Sequence, residues 1–320
     1  MAVRWLLAMT GALVMPAAAA VAQTYPSRQV TMIVPFAAGG PVDNGGRVFA
    51  EAMRRQLGSA VLVDNRAGAG GVVGTKMVIA AKPDGYTLLI GSPGPLIVSA
   101  SAGAGVDPDT QLAPVSLISE SPQIMVASKT IKADTLAEFV AFAKSSPGTL
   151  NYSSAGIGTM PHLAGELFKS ITGIDMLHVP YRGTGAALPD LISGRNQVMI
   201  GDITSMLPML DSGRIKSYAI TATKRSELVP TVPTTTEAGL PRLVTRNWNA
   251  LMGPVGLPPP VVARLNEAMR AALKDADYRE AMRKQGAVPA ESSPEHLAKL
   301  IVEERNALAP IVKAIGLKLE

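Results

Sequence analysis

The sequence predicts an α/β protein organised as two domains around parallel sheets. Three observations carry that prediction. Short β-branched apolar runs, such as VTMIVP at residues 30–35, alternate with stretches of helical rhythm. Glycine-rich turns stand where the apolar runs give way to helices. The alternation restarts after Pro147-Gly148, and 320 residues are enough for two hydrophobic cores.

Taken in order, residues 30–35 read as a buried strand that runs into a turn-rich loop at 36–43. Arg47, Val48, Met53, Arg54 and Leu57 then give a helical rhythm ending near Gly58, with Asp43 placed to cap it. Residues 60–63 form a second strand, 68–74 a glycine-rich turn, 75–81 a short helix and 86–90 a third strand. Two separate strands are expected at 112–118 and 124–127. Thr135-Leu136-Ala137-Glu138 matches a capping box and opens a helix to about Ser145. Strands at 150–152, 176–179, 197–200 and 216–221 then alternate with helices at 161–168, 185–192 and 204–210. The rest reads as helical: 260–273 with a stripe of Val261, Val262, Leu265 and Met269, then 276–284, then 294–315 with Ser293 as cap and Pro294 in its first turn. Two crossings, near 121–127 and 246–252, divide the chain into domain one, residues 23–124 plus 247–320, and domain two, residues 125–246.

Residues 1–22 have the layout of a secretory signal peptide: Arg4, an apolar stretch from Trp5 to Met15, Pro16 and a run of small residues. Cleavage after Ala22 is the expectation, with Ala20 as the competing site. The remaining 298 residues carry 29 basic and 25 acidic side chains, a dispersed net charge of +4. No basic block exceeds a pair and aromatics make up 4%, which argues against a nucleic-acid binder. The absence of cysteine excludes disulfides, thiolate nucleophiles and iron–sulfur clusters, and three histidines far apart argue against a metal site. A soluble, cofactor-free and monomeric periplasmic protein is expected.

Ligands of open α/β sheets bind beyond the carboxyl ends of the strands, so three strand-to-helix loops are candidates. In the 36–43 loop, Gly39-Gly40 lets backbone approach a ligand and free N–H groups face an anion. The alternative is a tight turn with Asp43 as an ordinary cap. In the 153–162 loop, small residues and hydroxyls precede Pro161 and His162; Gly156-x-Gly158 lacks the third glycine of a dinucleotide fingerprint, and no Gly-Lys-Ser/Thr follows. The third loop, 180–185, offers Arg182 as a fork for a carboxylate and Tyr181 as a stacking or packing residue, with Asp202 in a similar place after the 197–200 strand. No G-x-S-x-G elbow exists, although a triad can assemble through space.

Longer blocks make the chain recognisable. They include Tyr25-Pro26-Ser27-Arg28, the 34–41 segment VPFAAGGP with Asp43 and Arg47, VDNRAGAGG at 63–71, KPDGYTLL at 82–89, AGIGT at 155–159 with Pro161-His162-Leu163, HVPYRG at 178–183, and PTVPTTTEAGLP at 230–241. Through them the sequence resembles the extracytoplasmic, Bug-type solute receptors of tripartite tricarboxylate transporters over nearly its whole length. It departs from the family pattern at Ser99-Ala100, Gly201 and Asn247-Trp248-Asn249. The resemblance implies a two-domain periplasmic-binding-protein (Venus-flytrap) fold that closes over a small organic anion and hands it to transporter membrane subunits. It implies ligand contacts from Phe36, Ala38, Gly39, Gly40 and Asp43 on one side of the cleft. Ser154, Gly158, Thr159 and His162 face them, with Tyr181, Gly183 and Asp202 near the rim.

The function expected is a non-enzymatic receptor for a mono- or dicarboxylate, an aromatic acid or an amide. A hydrolase of small anionic substrates and a ligand sensor that partners a membrane signalling protein stand as alternatives. Because the two facing loops contain no Lys or Arg, backbone N–H groups and helix dipoles are expected to hold the anion, with Arg182 as the competing anchor.

Overall fold

The computed structural model describes residues 25–318; the signal-peptide expectation for 1–22 lies outside them. In chain order the elements are β1 (Val30–Val34), α1 (Pro41–Leu57), β2 (Val61–Asn65), a 3-10 turn (Ala69–Gly71), α2 (Val72–Ile79), β3 (Thr87–Gly91), a π-helical turn (Gly94–Ser99), α3 (Pro108–Gln111) and β4 (Leu112–Ser128). Then come α4 (Leu136–Ser145), β5 (Leu150–Ser154), α5 (Met160–Thr172), β6 (Met176–Pro180), α6 (Thr184–Ser193), β7 (Val198–Asp202), α7 (Ile203–Asp211) and β8 (Ile215–Ile220). The chain finishes with β9 (Arg246–Pro254), α8 (Pro259–Lys274), α9 (Ala276–Lys284), β10 (Val288–Pro289) and α10 (Pro294–Ala314).

The strands run in the order β2-β1-β3-β9-β4-β7-β5-β6, with β8 and β10 pairing with β4. β1 pairs in parallel with β2 and β3, and β5 pairs in parallel with β6 and β7. Between these parallel groups, β9 is antiparallel to β3 and β4, while β4 is antiparallel to β7 and β8. The sheet is therefore mixed, where a parallel one was expected. The strands expected separately at 112–118 and 124–127 are one 17-residue strand, β4. Its first part pairs with β9, and residues 123–128 pair with β7 and β8.

The result is a two-lobed α/β fold in which the central strands of each part of the sheet are buried on both faces, while the edge strands β2 and β6 are partly exposed. Side chains alternate across a strand, so Val30, Met32 and Val34 join Phe49 and Met53 of α1 and Leu265 and Met269 of α8. Ile33 points the other way, into a cluster with Leu89, Trp248, Leu297 and Ile301. The second lobe repeats the pattern: Met125 and Ala127 pack with Phe139, Phe168 and Tyr218, while Ile124 and Val126 meet Met199, Ile203 and Met206. Burial on both faces explains why these strands read as nearly continuous apolar runs.

Local signals hold at several ends. Thr135 and Glu138 form the expected capping box of α4, and Ser293 accepts from the His296 N–H at the start of α10. Gly58 closes α1 in the left-handed conformation. Asp43 is not the cap of α1: Gly40 holds that position, and the Asp43 carboxylate reaches back from the first turn to accept from the Gly39 N–H at 2.8 Å.

Candidate functional site

A cavity of about 830 Å³ opens between the lobes at the carboxyl ends of the parallel strands. The first lobe contributes residues 36–42, 67–71, Ser92 and Gly94; the second contributes Ala155, Gly156, 159–161, 181–186 and Asp202. Asn247, at the start of β9, completes the wall. The first turns of α1, α5 and α6 all reach this space. Pro41 and Pro161 occupy early helical positions where no N–H is needed, and Gly183 precedes α6 at φ +112°. Helices leave their first N–H groups without intrahelical partners, and their dipoles make those ends positive. Three such ends around one cavity favour an anion.

Eight of the sequence-predicted residues line the cavity: Phe36, Ala38, Gly39, Gly40, Thr159, Tyr181, Gly183 and Asp202. The other four, Asp43, Ser154, Gly158 and His162, stand behind the loops and hold them. Asp43 is buried and accepts from the Gly39 N–H, from Arg47 Nε at 3.1 Å and from Asn65 Nδ2 at 2.9 Å. Burial alone would raise its carboxyl, but these donors, led by the Gly39 N–H, hold it below the ordinary aspartate range.

Ser154 Oγ lies 2.7 Å from His178 Nε2 and accepts from the Gly156 N–H. His162 Nδ1 accepts from the Gly158 N–H at 3.4 Å, and its ring stacks on His178 with centroids 4.2 Å apart. Burial lowers the proton affinity of both imidazoles; His178, with the His162 charge adding to the effect, falls to about 4. The pair is therefore neutral at ordinary pH. His162 and His178 border a separate hollow beside the end of α10. Thr159 Oγ1 donates to the Gly156 carbonyl at 2.6 Å, so its hydroxyl is engaged in shaping the loop. Tyr181 Oη donates to Asp190 at 2.5 Å and accepts from Asn196 at 2.7 Å, which leaves its ring to form the wall.

Among the described residues lining the cavity, Arg182 is the sole Lys or Arg, and its side chain is exposed. The lobes meet at several places: Ser99 Oγ donates to the Gly158 carbonyl at 3.3 Å, Val98 and Val312 pack with Met160 and Leu163, and Gly70 (φ +63°) sits where a Cβ would come within 2.6 Å of the Ile157 carbonyl oxygen. The 67–71 and 92–94 turns and Asn247 were not among the predicted site residues. The first two follow β2 and β3, so the rule that selected the 36–43 loop selects them as well.

Residues 46–317 match the tripartite tricarboxylate transporter family receptor. The chain belongs to that family. It is a periplasmic solute receptor, and the family is one of transport, not catalysis. Protein BugT of Bordetella pertussis is 36% identical over 302 residues, covering 93% of each chain. MatC from Rhodopseudomonas palustris, solved with bound malate, is 35% identical with a TM-score of 0.85, over 90% of the receptor and 100% of MatC. A second R. palustris protein, solved with adipate, is 32% identical with a TM-score of 0.87, over 92% and 99% of the two chains. Among the described residues of the receptor, no group of three or more His, Asp or Glu side chains is placed to hold a metal ion.

Proposed function

We propose that the receptor captures a small organic carboxylate in the interlobe cavity and delivers it to the membrane subunits of its transporter. The observation that carries this reading is the meeting of three helix N-termini around a cavity whose lining holds one exposed arginine. Neutral donors avoid the desolvation cost of burying an unpaired cation when the cavity is empty. Malate and adipate in the related structures support the ligand class. In this reading the Phe36, Ala38, Gly39 and Gly40 backbone faces the anion from one side. Thr159, Gly183 and the start of α6 face it from the other, while Asp43, Ser154, Gly158 and His162 keep the two loops in shape.

The lobes would divide as residues 23–124 plus 247–320 and 125–246, bending where the chain crosses near 121–127 and 246–252. The buried set Gln123, Thr221 and Thr245, joined by hydrogen bonds of 2.7–3.2 Å, supports a hinge there. The receptor would act as a monomer.

Calorimetric titration of the mature protein against mono-, di- and hydroxycarboxylates, aromatic acids and amides tests the reading. Saturable binding of at least one acid, with compaction in small-angle scattering, is expected. Failure to bind any of them would sink it.

A further inference from the structure

The buried acidic side chain of the cavity wall has no counter-ion among the described residues. Asp202 ends β7 and precedes α7, where its carboxylate does not cap the helix. It is 5% exposed and forms no ion pair among the described residues. Its Oδ2 accepts from Asn247 Nδ2 at 3.1 Å, while Asn247 Oδ1 accepts from the Trp248 N–H. That second bond fixes which end of the Asn247 amide faces the carboxylate. Asp202 Oδ1 has no hydrogen-bond partner. On the neighbouring strand its register partner is Gln123, whose Oε1 is taken by Thr245 Oγ1 and whose Nε2 is likewise without a partner. An orphan acceptor of the cavity wall thus stands on the position paired with a fully buried orphan donor, among the described residues.

Such a pair is costly unless something satisfies it. An ionised ligand carboxylate does so poorly, because it brings a like charge and no donor. A hydroxyl can do so, since it donates a bond to the carboxylate oxygen and adds no charge. We propose that Asp202, oriented by Asn247, is a specificity-determining residue that selects carboxylates bearing a hydroxyl group over their unsubstituted counterparts. This rests on the carboxylate-receptor reading above and deepens it to the hydroxycarboxylate class. Asp202 accepts the hydroxyl proton, while the ligand's carboxylates lie toward the helix N-termini. The acidic side chain also penalises any acid that places a bare carboxylate at this end, so it combines attraction for one class with repulsion of another.

The test is a titration of the purified receptor with matched pairs: malate against succinate, and 2-hydroxyglutarate against glutarate. Wild-type protein is expected to bind the better hydroxy acid at least about tenfold more tightly than its partner. Asp202→Ala should bring that ratio to within about threefold, chiefly by weakening the hydroxy acid. Asp202→Asn keeps the shape with a weaker, uncharged acceptor and should give an intermediate ratio, which secures the result if the alanine variant does not fold. Equal affinities within both wild-type pairs would overturn the proposal. So would an Asp202→Ala variant that loses both members of a pair by the same factor, since that marks a purely structural role. Absence of binding to every acid removes the receptor reading itself, an outcome distinct from binding without discrimination.

Discussion

The two loops that face each other across the cavity are braced by opposite chemistry. Behind the 36–43 loop stands an ionised group, the buried Asp43 carboxylate, gathering the Gly39 N–H, Arg47 and Asn65. Behind the 153–162 loop stands a neutral stack: Tyr152 against His178 at 4.7 Å between centroids and His178 against His162 at 4.2 Å, with Ser154 hydrogen-bonded to His178. Both solutions keep positive side chains out of the loops and leave backbone donors to the ligand. They differ in what disturbs them. The charged brace depends on one side chain with several partners, and the neutral brace depends on imidazoles staying unprotonated.

Removing the charged brace should have the largest effect. Asp43→Ala removes the acceptor of the Gly39 N–H and one of the two acceptors of Asn65 Nδ2, which keeps the Phe36 carbonyl, and should cost about 2–4 kcal/mol of stability. Arg47 is half in water, so its share of that loss is small. Chemical denaturation would measure the cost. A change below about 0.5 kcal/mol would mean that the first loop does not rely on Asp43.

Acidity should separate the neutral brace from Asp202, which lies in the same lobe. His178 binds its proton less readily in the folded receptor, where its pKa is about 4, than in the unfolded chain. Its contribution to stability is therefore complete above about pH 6.5 and lost as pH falls toward 4. Asp202 behaves inversely, because burial raises its carboxyl to about 6 against the pull of Asn247. Its contribution is complete below about pH 4 and lost as pH rises through 6, on the order of 2–3 kcal/mol. Melting curves between pH 4 and 7 should show Asp202→Asn gaining stability at the neutral end. His178→Asn should lose less than wild type at the acid end. Parallel profiles for all three proteins would refute this assignment.

The contact between the lobes offers a smaller lever. Gly70→Ala places a Cβ against the Ile157 carbonyl oxygen and adds the strain of a positive φ. Weaker ligand binding, by about tenfold or 1.4 kcal/mol, is expected, together with a larger radius of gyration in the liganded state. An unchanged affinity and scattering profile would show that this contact is not part of closure. The smallest effect is expected at Arg182. Its alanine variant should lose no more than about threefold in affinity, less than 1 kcal/mol, because the exposed guanidinium is strongly screened. Loss of all binding would restore the arginine anchor in place of the helix ends.

Much of the architecture was legible because most strands lie between two layers and carry no polar face to confuse their pattern. VTMIV of β1 and TLLIG of β3 belong to that class. β4 was legible only as two fragments, since Pro122 falls between them and proline argues against an interior strand. Register shifts after Pro114 and after Leu117 accommodate its irregular pairing with β9. β9 was read only as a crossing; Asn247 and Asn249 break its apolar pattern and, in the structure, donate to Asp202 and Ser119. At the site, loop positions followed from strand ends and glycines, but side-chain direction did not. Ser154 and His162 lie within the right loop and point to its rear. Asn247 was noticed as a departure from a family pattern, yet its pairing with Asp202 depends on a contact 45 residues away in sequence.

The unbroken course of β4 has a mechanical consequence. Because one strand gives its edges to β9 over residues 112–122 and to β7 and β8 over 123–128, the lobes share a beam instead of a swivel. Sliding one lobe past the other would shear many backbone hydrogen bonds at once, whereas flexing or twisting the beam distorts each only slightly. The receptor's freedom thus reduces to little more than one angular coordinate. A small rotation at the middle of β4 grows with distance from that axis, so the loop tips at the cavity mouth travel furthest for the least strain at the root.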